Sequence, residues 1–388
     1  MKRKYNGFHA FIFIDILLII ILILGSAVTL KFLFESSTEK KEVKVETETN
    51  KSFSFIAVGD ALIHDGIYKD AKTSNKGEDG YPIYSFSNMF TNIKPIIKDY
   101  DLRFYNQETI IGGKKRGLST YPRFNSPEEI GLDMIDAGFN IVNLATNHTL
   151  DRGEDAIRYS KNFWNKQNIY TVGSYLSQEE HDKVIVQKKN DITYTVLGYT
   201  VSTNGLNVPE GKEYLLNRYD KEIVKRDIQK VREKVDVVIV SMHWGDEYTH
   251  TPTKKQREIA SYLSSLGVDV IIGHHPHVIQ PIEYINNTLV IYSLGNFISA
   301  QEGINKRVGM IAAFTVHKNI KNKQKKIYIS EVKGDLLWTY HNQYHNFKVI
   351  PFKNLDNDKL NNYQKIYNQY RSIINKTNDS RITTGFIK

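Results

Sequence analysis

Short apolar runs recur along this chain, and each is followed closely by a polar residue. Five runs have the length and composition of buried strands: 53–58, 102–105, 139–144, 235–242 and 268–272. Amphipathic segments typical of helices lie between them, among them 219–234 and 253–266. Strands that alternate with helices, with more strands in the later part, predict an α/β sandwich with two sheets inside and helices outside.

The polar residues at these strand ends predict a shared ligand site. In α/β sheets, ligands bind beyond the carboxyl ends of the strands. The residues at those ends are Asp60, Asn106 with Glu108, Asn147 with His148, His243, and His275 with His277. Taken singly, each could be a helix cap, a turn residue or a core histidine. Together, in a chain without cysteine, they favour a His/carboxylate/amide site for Mn, Zn or Fe.

The densest of these segments follows the run 268–272. Gly273 allows the backbone to turn sharply there, and three histidines follow within four positions. His275 and His277 are two residues apart, so an extended backbone would direct both rings to the same side. A histidine-rich surface loop is the alternative interpretation.

The N-terminal segment predicts the compartment. Three basic residues, Lys2, Arg3 and Lys4, precede an apolar run from Phe8 to Phe34 that is long enough to span a bilayer. The basic residues favour a cytoplasmic N-terminus and an external body. A cleaved signal peptide with its site near 25–27 is the alternative. Apolar sequence continues beyond that point, which favours an uncleaved anchor in the cell membrane.

Composition and patterning divide the chain into four predicted parts. They are a cytoplasmic tip and transmembrane anchor (1–34), a polar tether (35–52), the main α/β domain (53–340) and a peripheral C-terminal extension (341–388). The net charge of +9 suits anionic partners. No nucleic-acid-binding module is recognisable, so nucleic acid is not a predicted partner. The absence of cysteine excludes disulfides and a thiol nucleophile.

Six segments, in this order, carry a family resemblance: 59–60 (GD), 106–108 (NQE), 144–148 (LATNH), 243–247 (HWGDE), 273–277 (GHHPH) and 292–297 (YSLGNF). With the N-terminal anchor, they resemble the poly-γ-glutamate capsule-biosynthesis proteins of the CapA/PgsA family. The resemblance covers roughly 53–300. That family is related to the calcineurin-like metallophosphoesterases, which implies a four-layer α/β/β/α sandwich around a dinuclear metal centre.

The resemblance implies roles residue by residue. The implied metal ligands are Asp60, Glu108 (or Asn106), Asn147, His243, His275 and His277. His148 resembles the acid that protonates a leaving group, whereas His274 matches a position that need not be a ligand.

Three further charged residues near the predicted edge have open roles. Glu247 is a general base, a carboxylate that supports a ligand, or only a loop charge. Arg123 and Arg152 could clamp a carboxylate or phosphate, or could simply be solvated.

The chain departs from the phosphoesterase pattern at two positions. Leu62 stands where a histidine is expected after Asp60, with His64 as a possible substitute, and Glu108 stands where phosphoesterases use aspartate. The sequence therefore does not decide whether the site holds one ion or two, or whether it is catalytic.

Three functional hypotheses follow. The first is a membrane-anchored, external component of poly-γ-glutamate synthesis and export, with the polymer and membrane synthase and export subunits (CapB/CapC-like) as partners. The second is an exported metal-dependent hydrolase of phosphoesters or γ-glutamyl bonds. The third is a non-catalytic scaffold of the synthase complex.

Overall fold

The computed structural model describes residues 8–36, 48–385 and 387. The described residues fall into two units, one within 1–47 and the other within 48–388. In the first unit, helix α1 contains the 24-residue stretch Ile12–Glu35, within which an 18-residue window has a mean hydropathy of 2.8. By length and composition alone, this stretch could cross a membrane or form part of a signal sequence. The basic residues 2–4 and most of the predicted tether, 37–47, lie outside the described residues.

The described helices are α1 (Phe8–Ser36), α2 (Asp65–Asp70), α3 (Lys94–Lys98), α4 (Glu129–Ala137), α5 (Gly153–Asn165), α6 (Gln178–Asp182), α7 (Lys221–Arg232), α8 (Lys254–Ser265), α9 (Ile304–Arg307) and α10 (Tyr363–Ile374). The described strands are β1 (Glu48–Leu62), β2 (Lys72–Lys76), β3 (Pro82–Tyr84), β4 (Leu102–Asn106), β5 (Ile141–Asn143), β6 (Tyr170–Val172), β7 (Gln187–Lys189), β8 (Ile192–Thr200), β9 (Val237–His243), β10 (Val270–His274), β11 (Ile279–Ile285), β12 (Thr288–Leu294), β13 (Asn296–Ser299), β14 (Val308–Lys321), β15 (Gln324–Asn342), β16 (His345–Pro351) and β17 (Ile382–Thr384).

Two sheets organise the second unit. The larger sheet has the order β16-β15-β14-β1-β4-β5-β6, with β13 also paired to β1 and β17 to β15. The smaller sheet has the order β11-β12-β10-β9-β8-β7. Strands β1, β4, β5 and β6 run parallel, and so do β8, β9, β10 and β12. Their carboxyl ends therefore meet at one edge of each sheet.

Three apolar clusters separate four layers. Phe55 and Phe104 of the larger sheet pack with Ile239 and Ile272 of the smaller sheet in the central cluster. The outer face of the larger sheet packs against α2, α3, α4 and α5, and that of the smaller sheet against α7 and α8. Alternate residues of a strand point to opposite faces, and both faces are covered, so the strand sequences are continuously apolar. The predicted α/β/β/α sandwich is confirmed.

The structure differs from the predicted boundaries at both ends of the main domain. β1 begins at Glu48, because residues 48–52 pair in register with 317–321 of β14. The boundary predicted after 340 falls inside β15, and β16 and β17 both pair with β15. α10 contributes Ile366, Tyr370 and Ile374 to the central cluster. Residues 48–52 and 341–385 are thus integrated into the sandwich through strand pairing and burial.

The segment 83–97 is not a single helix. It contains the end of β3, a short 3-10 turn at Ser87–Phe90 and the start of α3. Pro95 lies in the first turn of α3, where its missing N–H costs no helical hydrogen bond, so it begins a helix instead of interrupting one.

Candidate metal centre

The parallel strands place the predicted polar residues at one edge of the sandwich. Asp60 lies inside β1 at a register shift, where its N–H donates to Gly295 O at 2.9 Å. A bulge of this kind redirects a side chain from the regular alternation. Asn106 ends β4 and His243 ends β9, whereas Glu108 and Asn147 follow their strands in loops.

Gly273 has a different role from the predicted turn. It lies within β10 with a backbone that is not left-handed, and a Cβ at this position would be 2.0 Å from Tyr292 O of neighbouring β12. The glycine is therefore required by the close approach of two strands.

The turn comes after Gly273, at the histidines themselves. β10 ends at His274, and His275 and His277 have φ values of +97° and +58°. The expectation of an extended backbone is therefore incorrect here, since a tight left-handed loop brings the two rings within 5.9 Å. Such strained conformations in residues other than glycine concentrate at functional sites.

Glu108 lies at the middle of the cluster. It is fully buried, and neither carboxylate oxygen has a hydrogen-bond partner. Its Oε1 is 3.5 Å from His243 Nε2 and 3.6 Å from His277 Nε2. Leaving a buried carboxyl without a donor is costly unless a proton or a cation compensates it.

Three overlapping groups of side chains could hold a cation, each with its ligand atoms within 4.8 Å of one another. They are Asp60 with Glu108 and His277, Glu108 with His243 and His275, and Glu247 with His275 and His277. Asn147 adds an amide oxygen 2.9 Å from His243 Nε2. The structure thus brings together all six residues that the sequence predicted as ligands. The donor set of carboxylate, imidazole and amide groups fits a divalent cation, with Glu108 common to two of the groups.

Burial and proximity set the charges of the centre. Burial raises the pKa of Glu108 well above its usual value, and the neighbouring Asp60 carboxyl raises it further. Burial also raises the pKa of Asp60, but the imidazoles of His274 and His277, each with Nδ1 3.4 Å from the carboxylate, outweigh it and hold that pKa well below the usual value. Burial lowers the pKa of His275 to about 4, with His277 acting in the same direction. Burial lowers the pKa of His277, yet Glu108 and Asp60 outweigh it and raise that pKa to about 9.

Neighbouring amides orient the candidate ligands. Asn143 Nδ2 donates to Asn106 Oδ1 and Asn106 Nδ2 donates to Asp60 Oδ1, both at 2.8 Å. Asn296 Oδ1 lies 3.0 Å from His277 Nδ1, which leaves His277 Nε2 towards Glu108. Supporting contacts of this kind fix ring orientation in metal sites. Asn106 and Glu108 are the two residues considered for the bridging position. The Asn106 amide is already hydrogen-bonded to Asp60 and Asn143, whereas both Glu108 oxygens lack a hydrogen-bond partner.

His274, set aside in the sequence analysis, contacts this centre. Its Nδ1 lies 3.4 Å from Asp60 Oδ1, its ring stacks on Phe104 at 5.6 Å, and it is fully buried. The signal available in the sequence was its position as the last residue of strand β10. A side chain at that position can face the larger sheet, where Asp60 lies.

His148 lies beside the metal-binding groups rather than within them. Its Nδ1 is 2.7 Å from Asp151 Oδ2, and the same oxygen accepts a hydrogen bond from the Phe124 N–H at 2.7 Å. Asp151 therefore orients the ring and leaves Nε2 as the atom available for proton transfer. Sequence reasoning missed Asp151, although its spacing of three residues from His148 was visible.

Glu247 and His64 lie at the margins. Glu247 is exposed, and the adjoining Tyr248, at φ +64°, places its ring 6.1 Å from that of His277. His64 precedes α2, with its Nδ1 3.1 Å from Leu62 O and its ring edge against Phe124. Within the described residues, His64 belongs to none of the three cation-binding groups.

Comparison with known proteins places this geometry in context. The family described as "Bacterial capsule synthesis protein PGA_cap" matches residues 54–301, a range that contains every candidate ligand. The chain is 30% identical over 323 residues to the PGA biosynthesis protein CapA of Bacillus subtilis, covering 82% of this chain and 79% of that protein. It is 25% identical over 226 residues to the capsule biosynthesis protein CapA of Bacillus anthracis, covering 56% and 55%.

Solved structures are more distant. A putative 5'-nucleotidase from Staphylococcus aureus superposes with a TM-score of 0.44 at 16% identity, over 83% of this chain and 59% of that one.

Proposed function

This chain belongs to the PGA_cap family of bacterial capsule synthesis proteins, and on that premise we propose that it acts in poly-γ-glutamate capsule synthesis through a divalent-metal centre. One observation carries the metal part of the proposal. Glu108 is fully buried between His243 and His277, and both of its oxygens lack a hydrogen-bond partner.

The proposed ligands divide around Glu108. Asp60 and His277 lie on one side, and His243, His275 and Asn147 on the other. The absence of sulfur donors suits Mn, Zn or Fe, in one or two ions. A bound cation in such a site polarises a substrate oxygen and lowers the pKa of a coordinated water.

His148 is the proposed proton donor. Asp151 accepts the Nδ1 proton of His148, so in the imidazolium form of the ring the Nε2 proton is the one transferred. Glu247, at the exposed mouth near His275 and His277, is proposed as a carboxylate that accepts a proton from solvent or substrate.

Helix α1 is proposed to anchor the α/β unit (residues 48–388) at the outer face of the cell membrane. Its apolar stretch is long enough to span a bilayer, and the basic residues before it favour a cytoplasmic N-terminus. The polymer and the membrane synthase and export subunits are then the proposed partners.

A second candidate is a metal-dependent hydrolase of γ-glutamyl or phosphoester bonds. The observation that favours it is the His148–Asp151 pair, since a buried, oriented proton donor serves chemistry and has no use in a pure scaffold.

The test of the metal centre compares Glu108→Gln with wild type in a polymer-producing cell. We expect Glu108→Gln to lose bound metal, measured on the purified protein by mass spectrometry, together with surface polymer. Glu283→Gln is the matched control, because it removes a carboxylate of the smaller sheet that is paired with Arg257 at 2.8 Å, away from the centre. Normal polymer from a metal-free Glu108→Gln protein would contradict the proposal.

Asp151→Asn separates catalysis from scaffolding. We expect metal content to be retained while polymer yield falls on the order of 100-fold, because a positioned general acid contributes about that much. A scaffold role predicts unchanged polymer yield.

A further inference from the structure

A cavity of 470 Å³ adjoins the candidate centre, and two arginines line it. Arg123 and Arg152 stand in its wall with Asp151 and Glu154, and Leu150 and Leu206 supply apolar surface. Its volume lies within the range of small-ligand pockets, about 300–1,000 Å³. No role proposed above for the metal centre uses either arginine.

The two guanidinium charges are not neutralised by the acids of the same wall. Asp151 Oδ2 accepts from the Phe124 N–H and contacts His148, and Glu154 is paired with Arg158 and Lys212.

The arginines themselves contact only neutral groups. Arg152 donates to Ser119 Oγ at 3.5 Å and to Arg116 O at 3.2 Å. Arg123 is exposed, and within the described residues its hydrogen bond is made by the backbone oxygen, which accepts from Ser119 Oγ at 2.7 Å, and not by the guanidinium. The cavity wall is therefore cationic, which suits an oxyanion.

Asp151 connects this cavity to the chemistry. It is at once a wall residue of the cavity and the hydrogen-bond partner of His148. An anionic group held at Arg123 and Arg152 would thus position the adjoining bond of the same molecule beside His148.

We propose that Arg123 and Arg152 bind the free α-carboxylate of a γ-glutamyl unit, with its two methylene groups against Leu150 and Leu206. This proposal rests on the function proposed above and names how that site recognises its substrate. Arginine matches a carboxylate with two parallel hydrogen bonds, and the apolar wall favours a carboxylate on an alkyl chain over inorganic phosphate.

The experiment measures binding of poly-γ-glutamate to the purified full-length protein by calorimetry. Arg123→Gln is the main variant, because among the described residues the Arg123 guanidinium has no hydrogen-bond partner to lose, so the change should leave the fold intact. Arg218→Gln is the matched control, since Arg218 is also exposed and lines a separate cavity of 620 Å³.

We expect Arg123→Gln to weaken binding on the order of 10-fold or more, as for a lost hydrogen bond to a charged group. Arg218→Gln should stay within about 2-fold, because an exposed charge outside the binding site contributes little. Arg152→Gln should also weaken binding. Its melting temperature is measured as well, because Arg152 donates a hydrogen bond to Arg116 O and its loss could loosen that loop.

Three results would overturn the proposal. One is unchanged binding by Arg123→Gln, and another is an equal loss in Arg218→Gln, which would indicate a general basic surface. The third is tighter binding of inorganic polyphosphate than of poly-γ-glutamate, with the polyphosphate binding lost in Arg123→Gln. That result would assign the cavity to phosphate. Glu108→Gln distinguishes the two proposals: if it abolishes metal and polymer while Arg123→Gln binds normally, only the recognition proposal fails.

Discussion

Two buried carboxyl groups lie at opposite ends of strand β9, and their surroundings could hardly differ more. Asp236 directly precedes β9. Its Oδ2 accepts from the Thr193 N–H, the Thr193 hydroxyl and Lys318 Nζ, and its Oδ1 accepts from Lys325 Nζ. Glu108 lies beside His243, the last residue of β9, and both of its oxygens are without a donor.

The difference separates a structural charge from a functional one. Burial raises the pKa of Asp236, but Lys318 and Lys325 outweigh it and hold that pKa well below the usual value. Burial raises the pKa of Glu108, and nothing nearby compensates enough to reverse it. Removing a buried carboxylate that is paired destabilises the fold because its partners are left unpaired. An unpaired buried carboxylate is itself a cost to the fold, and such exceptions are expected at functional sites.

The largest expected effect is at Glu108. Glu108→Gln should lower divalent-metal affinity by more than about 100-fold, beyond the loss seen for supporting residues. The metal-free variant should unfold at the same or a higher denaturant concentration, because the change removes an uncompensated buried acid. Metal titration of the full-length protein tests the affinity, and denaturant unfolding tests the stability. A markedly lower stability of the metal-free variant would mean that Glu108, like Asp236, stabilises the fold.

Asp236→Asn should do the opposite. We expect a loss of about 2–3 kcal/mol in the free energy of unfolding, because Lys318 and Lys325 lose hydrogen bonds to a charged acceptor. Metal content should stay at the wild-type level. Denaturant unfolding and metal analysis of the same preparation provide the measurement, and a loss of metal would show that the two ends of β9 are coupled.

The Asp236 contribution should also depend on pH. Its pKa in the folded protein lies below the unfolded value of about 3.9, so the stabilisation is complete above that value and is lost as the pH falls. The difference in unfolding free energy between wild type and Asp236→Asn should therefore be smaller at pH 3 than at pH 7. An unchanged difference would mean that Asp236 does not titrate in this range.

An intermediate effect is expected at His274. His274→Gln removes the ring that lies against Asp60, so metal affinity should fall about 10-fold or more, as for residues that orient a ligand. His317→Gln is the control, because His317 stacks on Tyr328 in the β14–β15 hairpin, away from the centre. Equal metal affinity in the two variants would show that Asp60 does not need His274.

The smallest effect is expected at Lys325. Its side chain is 52% exposed, against 17% for Lys318, although both bind Asp236. Lys325→Gln should therefore cost about 0.5 kcal/mol, the usual contribution of a solvated ion pair, and Lys318→Gln should cost more. Equal losses in denaturant unfolding would contradict this ranking.

Much of the site was visible in the chain because strand ends are local features. An apolar run followed by Asp60, Asn147 or His243 is apparent without any structure, and parallel strands bring such ends to a common edge. Asp151 and His274 were missed for different reasons. The spacing of Asp151 from His148 does not by itself show that the two side chains are in contact, and the strand-end position of His274 does not by itself show that it meets Asp60 of the other sheet.

The amino-acid sequence by itself determined the alternation of strands and helices, the four-layer class of fold, the family and the polar residues at the strand ends. These follow from apolar periodicity and from motif order, which are properties of short segments. Only the tertiary structure decided that Glu108 has no donor, that Asp236 has four, and that Arg123 and Arg152 share a cavity with Asp151. Whether a buried charge is satisfied depends on groups far apart in the chain, such as Lys318 for Asp236, and that pairing exists only once the sheets have packed.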